Sequence, residues 1–350
     1  MCKFSTTTVL TLVLAFFSLS VFAQPTINIL DSGHKVSIRG LSVVDDNVIW
    51  ASGSSGSVAK STNGGKSFDW IKVKGYETRD FRDIEAFGAD TALIMAVDVP
   101  AVILKTYDGG NTWKEIFKDT TPGMFLDAMD FRNDKHGVVI GDPLKNVPFL
   151  AYTEDGGEHW KTFSEKDEAV LPVLDSGEAF FASSGTNIKD LTDDYPHLGT
   201  YIIVSGGMRS GLYALGFMAQ KLPLEQGKTS TGANSIAVSD NDSSLNNIVV
   251  VGGDFANNLV SDSNCVLLQI HAGKYKSSFP QTPPHGYRSC VIYLSKNKLI
   301  TCGTSGVDIS NDEGLNWQLI SRQSFHVCQK AKHGNAVFLA GANGKIAVYR

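Results

Sequence analysis

The sequence predicts an all-β fold: a seven-bladed β-propeller whose ring is closed by the mature N-terminal strand. Three observations carry this reading. One eight-residue turn recurs at residues 61–68 (STNGGKSF), 106–113 (TYDGGNTW), 153–160 (TEDGGEHW) and 310–317 (SNDEGLNW). The first three copies begin 45 and 47 residues apart and the fourth begins 157 after the third, which leaves room for two eroded units; a period in this range marks a repeat architecture. Upstream of each turn runs a second phrase, a short apolar strand, a turn, a second strand ending near Gly, and a third strand. Spread over seven units, residues 24–350 allow about 47 residues each, an ordinary allotment for four short strands.

Taken in order, residues 1–23 read as a secretory signal, with Lys3 as the basic start, a short apolar run at 9–17 and Val21-Phe22-Ala23 as the cleavage site. That run is too short to span a bilayer. No later stretch is apolar enough to do so, and the expected product is exported, periplasmic or secreted, with no membrane insertion. The second phrase appears at 36–53, 81–97, 125–141, 169–185, 234–252, 288–303 and 326–341. The fourth unit carries an Asp/Thr-rich insertion at 187–196 and has residues 205–212 in place of its eight-residue turn. In the fifth, residues 269–276 occupy the turn position. The seventh ends at 346–350 with three strands, so residues 26–30 are expected to supply its fourth and remove the exposed sheet edges. Residues 24–350 form one domain on this reading, expected to be a monomer.

Each position of the repeated turn has a mechanical task. The Ser/Thr hydroxyl and the Asx side chain (Asn63, Asp108, Asp155, Asp312) bond nearby backbone, and Gly65, Gly110, Gly157 and Gly314 supply a positive φ. Phe68, Trp113, Trp160 and Trp317 return into the sheet and pack. This is the Asp-box pattern, and its acids are occupied with their own turns, so none is assigned a catalytic role.

A formal net charge of −5, made more negative by loss of Lys3, excludes a basic nucleic-acid or membrane-surface patch. The cysteines beyond the leader are Cys265, Cys290, Cys302 and Cys328, at spacings of no zinc motif. Cys290 and Cys328 fall at equivalent places in neighbouring units, which leaves a disulfide geometrically open; the favoured reading is four small buried hydrophobes. No metal or cofactor is expected: there is no G-x-G-x-x-G opening a helix, no G-x-S-x-G, no H-E-x-x-H and no C-x-x-C.

The candidate site lies where the first strands of the blades open onto the central channel. Aligning the phrases on their downstream Gly brings Arg39, Arg82, Asp127, Asn234, Arg288 and His326 to that mouth, with Tyr287 beside Arg288. Arg presents a bidentate fork, so such a ring suits a carboxylate, a phosphate or an acidic protein surface. The competing role for the same residues is inter-blade ion pairing with Asp80, Asp83 and Glu85. His285 reads as a loop residue.

With these phrases assembled, the chain resembles the Asp-box propellers of the photosystem II stability/assembly factor-like family, in its exported bacterial branch. The resemblance rests on the DGGxTW turns, GGDF at 252–255, GYRSCV at 286–291 and TSGVDIS at 304–310, and covers essentially all of residues 24–350. It implies a propeller that binds a protein partner and assists assembly through an arginine-lined face. Nothing in these residues supports an oxidoreductase. The rival reading is a sialidase-like glycoside hydrolase, with Arg39, Arg82 and Arg288 gripping a carboxylate and Tyr287 or Tyr201 as nucleophile. Gly40-Leu41 stands where those enzymes have Ile-Pro. Converging arginines with a Tyr and Glu in hydrogen-bond reach would favour the enzyme, and an arginine face without that pair would favour partner binding.

Overall fold

The computed structural model describes residues 26–163, 171–191, 200–216, 218–239, 246–271 and 274–350. The leader and parts of segments 187–196 and 269–276 lie outside the described residues. The chain is a β-propeller, and its described strands form six antiparallel sheets, five of four strands and one of nine, which is taken below as two successive blades. The first blade is Ile38–Val43, Ile49–Gly53, Ser57–Ser61 and Asp69–Lys72; the second is Phe81–Ala86, Ala92–Ala96, Ala101–Thr106 and Lys114–Asp119. The third is Leu126–Phe131, Gly137–Leu144, Val147–Thr153 and Lys161–Thr162. In the fourth, Glu178–Ala179 and Ile188–Asp190 both pair with Tyr201–Gly207, followed by Gly211–Ala214 and Met218–Lys221. The fifth is Thr231–Val238, Asn246–Asp254, Cys265–His271 and Lys274–Ser278, and it is joined to the fourth by pairing of Gly206 with Gly232. The sixth is Cys290–Tyr293, Leu299–Gly303, Gly306–Ser310 and Gln318–Ser321. The seventh is Val327–Lys330, Val337–Ala340 and Ile346–Tyr349, with Ile27–Asp31 added antiparallel to Ile346–Tyr349. Among the described residues no helix is long and apolar enough to cross a membrane.

The second and third strands read ALIMA and AVILKT in the second blade, and all their residues are buried. Continuous rather than alternating apolar runs are what a sheet covered on both faces requires. The apolar clusters accordingly lie between blades. Trp50 and Val58 of the first pack with Ile84 and Ile94 of the second; Leu93 and Ile103 of the second pack with Leu126 and Val139 of the third. One cluster joins the sixth, seventh and first blades through Ile300, Phe338 and Ile49.

The four repeated turns share one hydrogen-bond pattern. In the second copy Thr106 Oγ1 donates to Asp108 Oδ1 (2.9 Å) and accepts from the Gly110 amide (2.9 Å), while the Thr112 amide donates to Asp108 Oδ1 (2.9 Å). Ser61, Thr153 and Ser310 repeat the hydroxyl's two bonds, with Asn63, Asp155 and Asp312 as their acceptors. The Thr112 hydroxyl and amide hold Asp108 down to about 2. Gly110 lies at φ 91°, and a Cβ there would meet Ile71 at 2.8 Å and Trp50 at 3.4 Å, so the turn of one blade seats against the blade before it. Phe68, Trp113, Trp160 and Trp317 pack into the clusters. In the fourth blade, residues 205–212 span its second-to-third strand connection, not the third-to-fourth position where the turns lie, so they do not replace the eight-residue turn.

Thr106→Val keeps the shape but leaves the buried Gly110 amide without an acceptor. It is expected to destabilise by about 1–3 kcal/mol in denaturant unfolding. Thr112→Val, which removes an exposed hydroxyl bonded to Asp108 Oδ2, should cost less, about 1 kcal/mol.

Candidate ligand-binding site

A bulge in the innermost strands builds the mouth. Pairing slips between Ile38 and Gly40, Phe81 and Asp83, Leu126 and Ala128, and Ala233 and Ser235. The residues left out of the ladder are Arg39, Arg82, Asp127 and Asn234. A bulge of this kind re-aims one side chain without disturbing its neighbours, and the residues just before it, Ile38, Phe81, Leu126 and Ala233, are all buried.

The same register places Arg288 elsewhere than the sequence alignment expects. Cys290 pairs with Cys302 as Gly40 pairs with Ser52, so the bulge-equivalent residue of the sixth blade is Ser289, and Arg288 stands where Ile38 stands in the first. A one-residue slip sends a side chain to the other face. Arg288 is fully buried, with Nε 2.8 Å from Asp308 Oδ2, Nη2 also bonded to that oxygen, and Nη1 2.8 Å from the Tyr287 carbonyl. His285 Nδ1 contacts the other carboxylate oxygen of Asp308 at 2.5 Å. Arg288 therefore belongs to the wall and not to the mouth. Asp127 is also fully buried, and burial first, then repulsion from Asp142, pushes its carboxyl well above the usual range.

Arg39, Arg82, Asn234, Ser289 and His326 do converge, around a cavity of about 370 Å³. Its floor is a segment the sequence gives little sign of. The innermost strand of the fourth blade is split, and residues 180–187 between its halves run into the channel. There Ser183 Oγ donates to Asn234 Oδ1 (3.1 Å), Ser184 Oγ donates to the Ser289 carbonyl (2.7 Å), and Arg39 Nη1 donates to the Ser183 carbonyl (3.5 Å). Gly185 passes the Asp83 carboxyl at φ 68°, where a Cβ would lie 2.3 Å from Oδ2. Burial raises Asp83 to about 8, which keeps it neutral beside that close backbone.

Aromatic rings complete the mouth. Phe181, Phe255 and Tyr287 form a row of edge-to-face contacts with centroids 5.9 and 6.2 Å apart, and Phe255 is 48% exposed. Tyr287 is buried and donates to Asn234 Oδ1 (2.8 Å). Arg82 lies over Phe125 at 5.7 Å and pairs with Asp80 at 2.8 Å, a local pair within one unit and not the inter-blade pairing of the competing reading. Among the described residues Arg39 has no carboxylate within ion-pair distance; burial, then the field of Arg82, lowers its pKa. The mouth thus sets two guanidiniums and one acid among aromatic surface. Phe181, Ser183, Phe255 and Ser289 are site residues the sequence alignment misses; the Phe-Phe pair at 180–181 ahead of a Ser-Ser-Gly tract and the Phe closing GGDF are the signals that could have marked the first three.

The pair that would mark a glycosidase with a tyrosine nucleophile is not at this mouth. Tyr213 donates to Glu178 at 2.6 Å in the fourth blade, and Arg209 nearby is engaged by Asp175 at 3.1 Å. Burial and that bond raise the Tyr213 pKa, the wrong direction for a nucleophile. Tyr201 packs edge-on against Phe163.

No family model matches the chain, and no curated protein matches it. Among solved structures it is similar to YCF48 bound to D1 peptide, at 15% identity over 94% of this chain and 97% of that one, with a TM-score of 0.60. YCF48 from Cyanidioschyzon merolae follows at 16% identity, 93% and 98% coverage and a TM-score of 0.59. The WD40 domain of Neurospora crassa Pan2 aligns at 10% identity, 90% and 89% coverage and a TM-score of 0.55. At these identities the likeness establishes the propeller architecture.

Two variants test the site's electrostatics. Arg288→Met strands the buried Asp308 carboxylate and is expected to cost about 3–5 kcal/mol, read as a shift of the unfolding midpoint; Arg39→Met, which leaves no such partner, should cost less than about 1 kcal/mol. Burial first, then the field of Arg39, pushes the His326 imidazole down to about 4, although its Nδ1 contacts the Ile38 carbonyl at 2.9 Å. The unfolded chain, with an ordinary histidine near 6.5, then binds more protons between pH 4 and 6.5. Stability from neutral His326 is therefore complete above about pH 6.5 and lost as pH falls through 4. The stability difference between wild type and His326→Gln should grow by about 3 kcal/mol from pH 4 to 7; a difference independent of pH would contradict a neutral buried imidazole.

Proposed function

We propose that this protein is an exported binding module: a closed, seven-bladed Asp-box propeller spanning residues 24–350 that engages a protein partner or an anionic ligand at its arginine-lined mouth, and acts as a monomer. The observation that carries the reading is the charge imbalance at Arg39 and Arg82. Among the described residues Arg82 pairs with Asp80, while Arg39 has no carboxylate at ion-pair distance and only a long bond to a carbonyl. An entering carboxylate or phosphate would relieve their mutual repulsion and accept a bidentate bond. The aromatic row of Phe181, Phe255 and Tyr287 offers apolar surface beside that charge, the mixture common at the centre of protein interfaces. One similar propeller, YCF48, was solved with a D1 peptide, which supports a peptide or protein as the occupant here. The family resemblance of the sequence points the same way, toward an assembly role. Export rests on the leader sequence alone.

Affinity capture from native extract tests the reading, with wild type beside an Arg39→Gln/Arg82→Gln variant verified as folded. A partner held by the wild type should fall at least about tenfold on the variant, the loss of roughly one charge-assisted contact. Equal retention by both proteins would move binding away from the mouth. If neither holds a protein, sialoside and glycan turnover is the next assay.

A further inference from the structure

The sequence places its cysteines at spacings that match no metal motif, yet the fold gathers three of them. Cys290 and Cys302 face each other across the first two strands of the sixth blade, and Cys328 comes from the first strand of the seventh. It is not the register equivalent of Cys290, a place Val327 holds through its pairing with Ala340; the two meet because neighbouring blades converge toward the channel. The Cys328 and Cys290 sulfurs are 3.7 Å apart, and all three sulfurs lie within 4.8 Å of one another. All three residues are 0% exposed. Thr186, from the segment crossing the channel, donates to Cys290 Sγ at 3.8 Å and closes the group from that side.

All four cysteines are free and buried, as small hydrophobes are; the convergence of three sulfurs is a further feature. Three thiolates bound to one ion at about 2.3 Å in a plane stand about 4.0 Å apart, close to the spacing here. Zinc requires a fourth ligand, and among the described residues no imidazole or carboxylate joins the three sulfurs. Soft sulfur donors in a dry site favour a soft monovalent ion. The charge of bound thiolates also has a counterweight, since Lys189 attracts Cys290 and Arg288 attracts Cys302.

We propose that Cys290, Cys302 and Cys328 form a trigonal, all-sulfur site that binds one copper(I) ion and prefers it to zinc(II). Each thiol that bonds the ion releases its proton to solvent, so affinity weakens as pH falls. The site is independent of the arginine mouth.

Anaerobic titration of the reduced full chain with copper(I), in competition with a copper(I) chelator such as bathocuproine disulfonate, tests it. One equivalent should be retained, with three sulfur neighbours at about 2.3 Å by X-ray absorption. Cys302→Ala should weaken retention at least about 100-fold, in line with loss of a metal-centre partner, and Cys265→Ala, outside the group, should leave it unchanged. Retention no greater than that of a variant lacking all three thiols, a two-sulfur shell, or tighter binding of zinc(II) would each overturn the assignment. Should Cys302→Ala fail to fold, the sulfur count of the wild type decides.

Discussion

A four-stranded sheet that is apolar on both faces has no stable existence in water, and most of this molecule follows from that constraint. Ala92–Ala96 and Ala101–Thr106 are buried on both sides, so the second blade can exist only between the first and the third. The repeated turns reinforce this dependence. Gly110 abuts Ile71 and Trp50, Gly157 abuts Leu93, and Gly314 abuts Leu267 and Val249, in each case a residue of the preceding blade. A side chain at any of these glycines would separate two blades as well as strain one backbone.

Stacking around an axis fixes where chemistry can occur. Each innermost strand presents little to the channel except at its bulge, and there the ladder places no demand on the side chain. Arg39, Arg82, Asp127 and Asn234 stand at such bulges, and Ser289 and His326 just before the first strands of the sixth and seventh blades at matching pairing positions, a wide chemical range. The residue one step earlier is held to apolar burial, and where it is Arg288 the structure supplies Asp308, His285 and Ser305 to neutralise and bond it. Function and packing are thus separated by a single position along the chain.

That separation also sets how much the sequence discloses. The repeated turns were legible because no bond in them reaches further than four positions along the chain, and all lie within Thr106–Thr112 or Ser310–Asn316. The added strand was legible too, since three strands at 327–349 leave an edge and the segment observed as Ile27–Asp31 was spare. Register was not, because it depends on pairing with another strand. The 14 positions from Arg39 to Gly53 lead back from Gly303 to Ser289, as the observed ladder has it, but the 15 from Arg82 to Val97 and from His326 to Gly341 lead to Arg288, so counting alone does not choose between them. The crossing segment was hidden for a related reason: residues 180–187 interrupt a strand, and their contacts with Arg39, Asn234 and Ser289 lie far away in the chain. The cysteine group joins two blades, which no spacing rule within one unit describes.

The pairing of Ile27–Asp31 with Ile346–Tyr349 bears on when the fold can be completed. The first of the described strands has the last of them as its partner, so a growing chain holds Ile27–Asp31 without that partner until Ile346–Tyr349 has been made. Contacts this distant along the chain are closed late and slowly. Until then the seventh blade lacks its outer strand, and a chain halted or held open in this state keeps its two ends apart and free to be handled separately. Completion of this sheet is thereby tied to the emergence of Ile346–Tyr349.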